Sequence, residues 1–279
     1  MLPSAEELPA IGVGTARMGE SAAHAARELA ALRTAFDIGF RVVDTAEMYG
    51  AGGAETLVGR ALREAMAQGL RREDVTIVSK VLPQNAHPAG LLRACEESLR
   101  RLGIDHIDLY LLHWRGSVPL KETVDGFEIL QRKHWIRYWG VSNFDIDDMR
   151  ELIQVPGGAA CSANQVWYSV GQRGPELDLL PWQRLYQMPL MAYCPLDEGQ
   201  LVRHPVLQAV GERHGATAAQ VALAWLMTQP GVMALPKAVH ALHLRQNWDA
   251  ARIALSAADH EALGQAFARP TKRQPLATR

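Results

Sequence analysis

Short apolar runs alternate along this chain with longer stretches in which apolar residues recur every three or four positions, and the alternation predicts strand and helix in turn. Eight strands are expected, at residues 11–15, 40–44, 75–80, 107–113, 136–142, 163–167, 189–194 and 232–236. Helical spacing is clearest over 24–38, 55–68, 89–101, 121–133 and 217–229, and Gly39, Gly69 and Gly103 stand just past three of these as helix stops. An unbroken β/α alternation implies a parallel sheet with helices outside it. The right-handed crossover rule then leaves a doubly wound sheet or a closed barrel, and eight units favour the barrel.

A doubly wound dinucleotide-binding sheet needs a G-x-G-x-x-G turn after its first strand. Here Gly12-Val13-Gly14 is followed by Thr15-Ala16-Arg17 without the third glycine, and Gly50-Ala51-Gly52-Gly53 follows Tyr49 rather than a strand. No linker divides the chain, since Pro156-Gly157-Gly158 is only a turn. The expectation is an α/β chain folded as one (β/α)8 TIM barrel domain over residues 1–279, with the last ten or so residues, basic and Pro-interrupted, as a surface tail.

Composition narrows the function without changing that picture. A chain of 279 residues, 48% hydrophobic, can bury one large core and is near the roughly 250 residues of a single barrel. A net charge of -1, from 29 basic and 30 acidic residues, creates no field that favours nucleic acid or an acidic membrane surface. No apolar run reaches the length of a membrane span, and Met1 to Ala10 carries acids and prolines where a signal peptide needs a basic start and an apolar run. Cys95, Cys161 and Cys194 are odd in number and lack a CxxC, which fits a reducing cytoplasm. His240 and His243 have no third ligand at suitable spacing, so no metal is expected.

Three of the predicted strands end on ionisable groups: Asp44, Lys80 and His113. In a parallel barrel these ends lie together on one rim, and Tyr49 sits on the loop after the first of them. An ammonium beside a phenol is expected to stabilise the phenolate and lower the phenol's pKa, while the aspartate keeps the lysine charged. The set describes a general acid that protonates an oxygen as negative charge develops on it.

Asp44-Thr45-Ala46-Glu47-Met48-Tyr49-Gly50, Ser79-Lys80 and Leu111-Leu112-His113-Trp114 resemble the catalytic motifs of the aldo-keto reductases, NAD(P)H-dependent barrel enzymes. Gly140-Val141-Ser142-Asn143-Phe144, Asn164-Gln165, Ala192-Tyr193-Cys194-Pro195-Leu196 and Leu235-Pro236-Lys237 resemble that family's cofactor-binding segments, in the family's order and across nearly the whole chain. The resemblance implies that Tyr49 is the proton donor, that Lys80 and Asp44 tune it, and that His113 orients the carbonyl. It implies that Ser142, Asn143 and Gln165 hold the nicotinamide carboxamide, that Tyr193, with Cys194 and Leu196 beside it, packs on the ring, that Lys237 meets the phosphates, and that Asn247 meets the adenine. Within the family the chain is most similar to bacterial reductases of the methylglyoxal reductase type, through Gly52-Gly53-Ala54-Glu55, Tyr110 to Trp114 and Leu179-Leu180-Pro181-Trp182. Small aldehydes and ketoaldehydes, methylglyoxal and aromatic aldehydes among them, are the substrates that this implies, with a monomeric protein.

The chain departs from the family pattern at both ends of the expected site. Ala238 and His243 stand where NADPH-preferring members carry a hydroxyl residue and an arginine on the extra ribose phosphate, with Arg245 as a substitute donor. NADPH use with weakened discrimination against NADH is therefore expected. Ala16 replaces a tryptophan that walls the family's substrate pocket, leaving Met18, Met48, Trp114 and Trp167 as lining residues and an open, tolerant mouth. Two other functions compete with this reading. One is a non-catalytic NADP(H)-binding regulatory barrel, which retention of all four catalytic residues opposes. The other is a metal-dependent hydrolase, for which the strand ends lack clustered ligands.

Overall fold

The computed structural model describes residues 9–278. The N-terminal segment judged unlike a signal peptide lies, up to Leu8, outside the described residues. All eight expected strands form: β1 (Val13–Gly14), β2 (Val42–Asp44), β3 (Thr76–Val81), β4 (Ile107–Leu112), β5 (Ile136–Ser142), β6 (Asn164–Trp167), β7 (Leu190–Tyr193) and β8 (Val232–Leu235). They pair in chain order and in parallel. Closure from β8 to β1 runs through one bridge, Ile11 to Ala234, and backbone bonds from Gly12 N to Ala234 O (2.9 Å) and from Gly14 N to Pro236 O (3.0 Å). β1 is shorter than the expected 11–15, and β8 packs closely on it: a Cβ on Gly12, just before β1, would lie 2.9 Å from Leu235 Cδ2.

Among the described residues ten helices wrap the sheet: α1 (Ala22–Ile38), α2 (Gly53–Ala67), α3 (Pro88–Leu102), α4 (Leu120–Arg132), α5 (Ile146–Gln154), α6 (Leu179–Leu185), α7 (Pro205–His214), α8 (Ala218–Met227), α9 (Ala241–Asp249) and α10 (Ala257–Ala266). The five expected from periodicity are α1 to α4 and α8. Gly39 and Gly103 cap α1 and α3 at positive φ, as their places in the sequence indicated. None of the described helices is long and apolar enough to cross a membrane.

The period-two alternation of the strands places the site. On the lumen face lie Val42, Val78, Leu109, Leu111, Ala163, Met191, Met233 and Leu235, a separate inner core. The next lumen positions, two residues on along several strands, are Asp44, Lys80, His113, Gln165 and Tyr193. The opposite faces, with Val43, Ile77, Tyr110, Leu112, Val166 and Ala234, join the helices in the outer core. A barrel plugged by its own side chains thus leaves one rim on which polar groups can gather.

The tail after Phe267 is strapped down. Arg269 meets Glu176 at 2.9 Å, and Arg273 meets Asp145 (3.2 Å), Asp147 (2.7 Å) and Asp178 (3.3 Å).

Candidate active site

Asp44 ends β2 and Lys80 lies near the end of β3, both on the lumen face and both removed from solvent. Lys80 Nζ donates to both carboxylate oxygens of Asp44, at 2.8 and 2.9 Å, to the Thr45 carbonyl at 2.9 Å and to Tyr49 Oη at 3.4 Å. The ammonium lies 5.0 Å from the Tyr49 ring centroid. Gln165, reaching from β6, donates its amide to Asp44 Oδ1 at 2.7 Å. Burial alone would drive the ammonium toward its neutral form, yet the carboxylate and the phenol outweigh it and hold the Lys80 pKa above its usual value.

The expected effect of Lys80 on Tyr49 is present but does not decide the outcome. Burial pushes the phenol above 10.0, Lys80 opposes this, and Asp44 and Cys194 add to the rise. Desolvation of the phenolate outweighs one neighbouring cation. Tyr49 is therefore a protonated phenol near pH 7, with a compensating charge in place for the anion it forms on losing its proton.

The turn that carries Tyr49 is left-handed at Gly50 (φ 57°), Ala51 (φ 50°) and Gly52 (φ 89°). It packs backbone to backbone on the β1 loop, where a Cβ on Gly50 would come within 2.5 Å of Gly19. Glycine is required there for contact as much as for conformation.

His113 follows β4, edge-on to Tyr49 at 5.7 Å between ring centroids. Burial, aided by Lys80, drops its pKa to about 3, so the imidazole is neutral near pH 7. Its Nδ1 is buried and has no hydrogen-bond partner among the described residues. A bare lone pair is more tolerable than a bare N–H, which favours the proton on Nε2.

The remaining rim residues form a linked row. Ser142 Oγ donates to the Gln165 carbonyl at 2.8 Å. Asn143, at φ 59°, donates to the His113 carbonyl at 3.1 Å and accepts from Tyr193 Oη at 2.8 Å. Tyr193, Cys194 and Leu196 are partly buried where β7 runs into its loop. Trp167 Nε1 donates to Asp197 Oδ1 at 2.8 Å. Beyond β8, Lys237, His243 and Arg245 are exposed and Ala238 is buried. Ala16, Met48 and Trp114 are exposed at the mouth.

One residue expected to line the pocket lies away from the mouth. Met18 is fully buried in the outer core because the chain turns back after β1, with Met18 N bonded to the Thr15 carbonyl at 2.9 Å; it does not line a pocket. Asn247 is buried on α9 with Leu244, ten residues beyond the exposed Lys237. Among the described residues no cluster could hold a metal.

Sequence reasoning missed Glu55 and its partners. This carboxylate is wholly buried, accepting from Ser79 Oγ at 2.6 Å and from Arg101 Nε at 2.6 Å. A signal was present, because Glu55 shares the buried face of α2 with Val58 and Leu62. Arg17 and Glu198 also meet, at 3.1 Å, joining the β1 and β7 loops across the rim.

The family model that matches this chain is that of the Aldo/keto reductase family, over residues 10–267. Methylglyoxal reductase YeaE of Escherichia coli is 47% identical over 274 residues, covering 96% of this chain and 94% of that one. The crystal structure of an aldo/keto reductase from Klebsiella pneumoniae in complex with NADP and acetate superposes with a TM-score of 0.95 at 45% identity, covering 99% of this chain and 98% of that one. The thermostable aldo-keto reductase Tm1743, in complex with the inhibitor epalrestat, gives 0.88 at 38% identity, covering 95% and 98%.

Proposed function

Because the chain belongs to the aldo/keto reductase family, we propose that it reduces small aldehydes and ketoaldehydes with NADPH, Tyr49 giving the proton. The observation that carries this reading is the buried Lys80 ammonium, bound to both oxygens of Asp44 and 3.4 Å from the Tyr49 hydroxyl.

The rim residues fit a dinucleotide. Tyr193 offers a partly buried ring beside the amides of Asn143 and Gln165, and Lys237, His243 and Arg245 offer exposed donors at the end of β8. When bound, NADPH supplies the hydride that reduces the carbonyl carbon. Tyr49 donates its proton to the carbonyl oxygen, and the phenolate that remains is stabilised by Lys80. Asp44 keeps Lys80 charged and fixed, and Gln165 fixes Asp44. Neutral His113 presents Nε2–H as a hydrogen-bond donor to the same oxygen rather than competing as an acid. The exposure of Ala16, Met48 and Trp114 at the mouth supports small carbonyl substrates, methylglyoxal and aromatic aldehydes among them. A monomer in the cytoplasm completes the reading.

Loss of NADPH absorbance in the presence of methylglyoxal or a nitrobenzaldehyde measures the activity. Tyr49→Phe is expected to reduce turnover by about 10²–10⁴-fold, the usual worth of a general acid, with NADPH still quenching the protein's fluorescence. Near wild-type turnover in that variant defeats the assignment. With Ala238 buried and His243 in place of a permanent cation, kcat/KM for NADPH is expected to exceed that for NADH only modestly. A strong preference for NADH contradicts the cofactor reading.

A further inference from the structure

Two contacts converge on the buried carboxylate of Glu55, which takes no part in the chemistry above. Ser79, whose side chain points outward because Lys80 points inward, gives its hydroxyl to one carboxylate oxygen at 2.6 Å. Arg101, from α3, gives Nε to the other at 2.6 Å. The aliphatic stem of the same arginine lies under the turn of Tyr49, where a Cβ added to Gly52 would come within 2.5 Å of Arg101 Cδ. Arg101 is held from its own helix as well, by Ser98 Oγ at 3.2 Å and Glu97 at 3.7 Å.

One carboxylate therefore ties the strand that carries Lys80 to the arginine that supports the turn carrying Tyr49. We infer that Glu55 and Arg101 are positioning residues which set the approach of the Tyr49 hydroxyl to the Lys80 ammonium; this rests on the proton-donor reading above. The two catalytic groups come from different elements, and no direct bond shorter than the 3.4 Å contact fixes their spacing. The brace acts from the opposite side of β3. A buried ion pair is a weak source of net stability, because desolvating both charges offsets most of their attraction. Its geometry is its more useful property, since two fixed charges resist sliding.

The test is steady-state kinetics on Glu55→Gln, Arg101→Ala, the double variant and Arg101→Lys, with active sites counted by NADPH titration. Glu55→Gln keeps an acceptor for Ser79 but removes the charge that holds Arg101. Its kcat per site is expected to fall about tenfold, the size of effect that a sub-ångström misplacement produces. Its dissociation constant for NADPH should stay within about twofold of wild type, because the displacement is confined to the Tyr49 side of the rim. The solvent deuterium isotope effect on kcat should rise as proton transfer becomes slower, which a merely structural lesion would not cause. Because the pair acts as a unit, the double variant should be no slower than the worse single variant, and Arg101→Lys should recover most of the turnover.

If Glu55→Gln does not fold, Ser79→Ala leaves the ion pair intact and is expected to lower kcat about threefold with the same isotope signature. Wild-type kcat and isotope effect in folded Glu55→Gln, or losses that multiply in the double variant, overturn the inference. Tyr49→Phe, run alongside, separates that failure from failure of the proton-donor reading itself.

Discussion

At the C-terminal rim of the barrel Asp44 meets an ammonium that is 0% exposed, whereas at the N-terminal rim Asp108 meets guanidinium groups that reach solvent. Asp108, the second residue of β4, accepts from Ile77 N at 2.9 Å, from Arg72 at 2.7 Å and from Arg137 at 3.2 Å. The side chains of Arg72 and Arg137 are 14% and 41% exposed, so water shares the charge there. The lower cluster clasps the starts of β3, β4 and β5 together. The upper one pairs as closely but puts its cation against a phenol, in a place where charge can be created. The same chemical pair fastens strands at one end and, on the proposed reading, prepares a proton transfer at the other; what differs is solvent access and the third group.

The sharpest way to break this contrast is to remove the upper cation. Lys80→Met is expected to lower kcat by about 10³-fold, because the phenolate then forms with no neighbouring charge, and to destabilise the fold by roughly 3 kcal/mol or more through the stranded Asp44. A variant that kept its turnover would place the two rims on an equal footing. Asp108→Ala should do the reverse: loss of a buried partner costs about 3 kcal/mol, a fall in Tm on the order of 10 °C, while kcat per folded site stays at the wild-type value. Calorimetry together with the NADPH assay reads both, and a large loss of kcat would contradict the division of labour.

The rims also differ in how their stability responds to pH. The unfolded chain protonates His113 below about 6.5, whereas the folded chain refuses the proton until about 3. Between those values the unfolded state binds more protons, so this residue's contribution to stability is complete above 6.5 and is lost as the pH falls through the window. His113→Gln should flatten that part of the stability curve relative to wild type. Coincident slopes would show that the upper rim does not exclude the imidazolium.

Much of this was legible in the chain. The strands appear as short apolar runs and α1 to α4 and α8 as longer periodic ones, because burial of one face imposes a period on the sequence. Asp44, Lys80 and His113 were legible for a related reason: each extends the lumen-facing set of its strand by one more step of two. Resemblance to a family placed Tyr49 among them. Met18 misled because its sequence position lies beside rim residues, while the fold of the β1 loop turns it inward. Glu55 was missed because its partners stand 24 and 46 residues away, on β3 and α3.

The sequence by itself determined the eight-unit barrel, the rim on which chemistry gathers and the residue types present there, since hydrophobic period and strand order are local properties of the chain. Only the tertiary structure decided their electrical state. The sequence put a lysine near a tyrosine and suggested an acidified phenol; the folded protein raises that phenol's pKa, keeps the lysine charged and leaves the histidine neutral. Burial and the distances between groups from different strands set the balance of desolvation against attraction, and neither quantity exists until the barrel has closed.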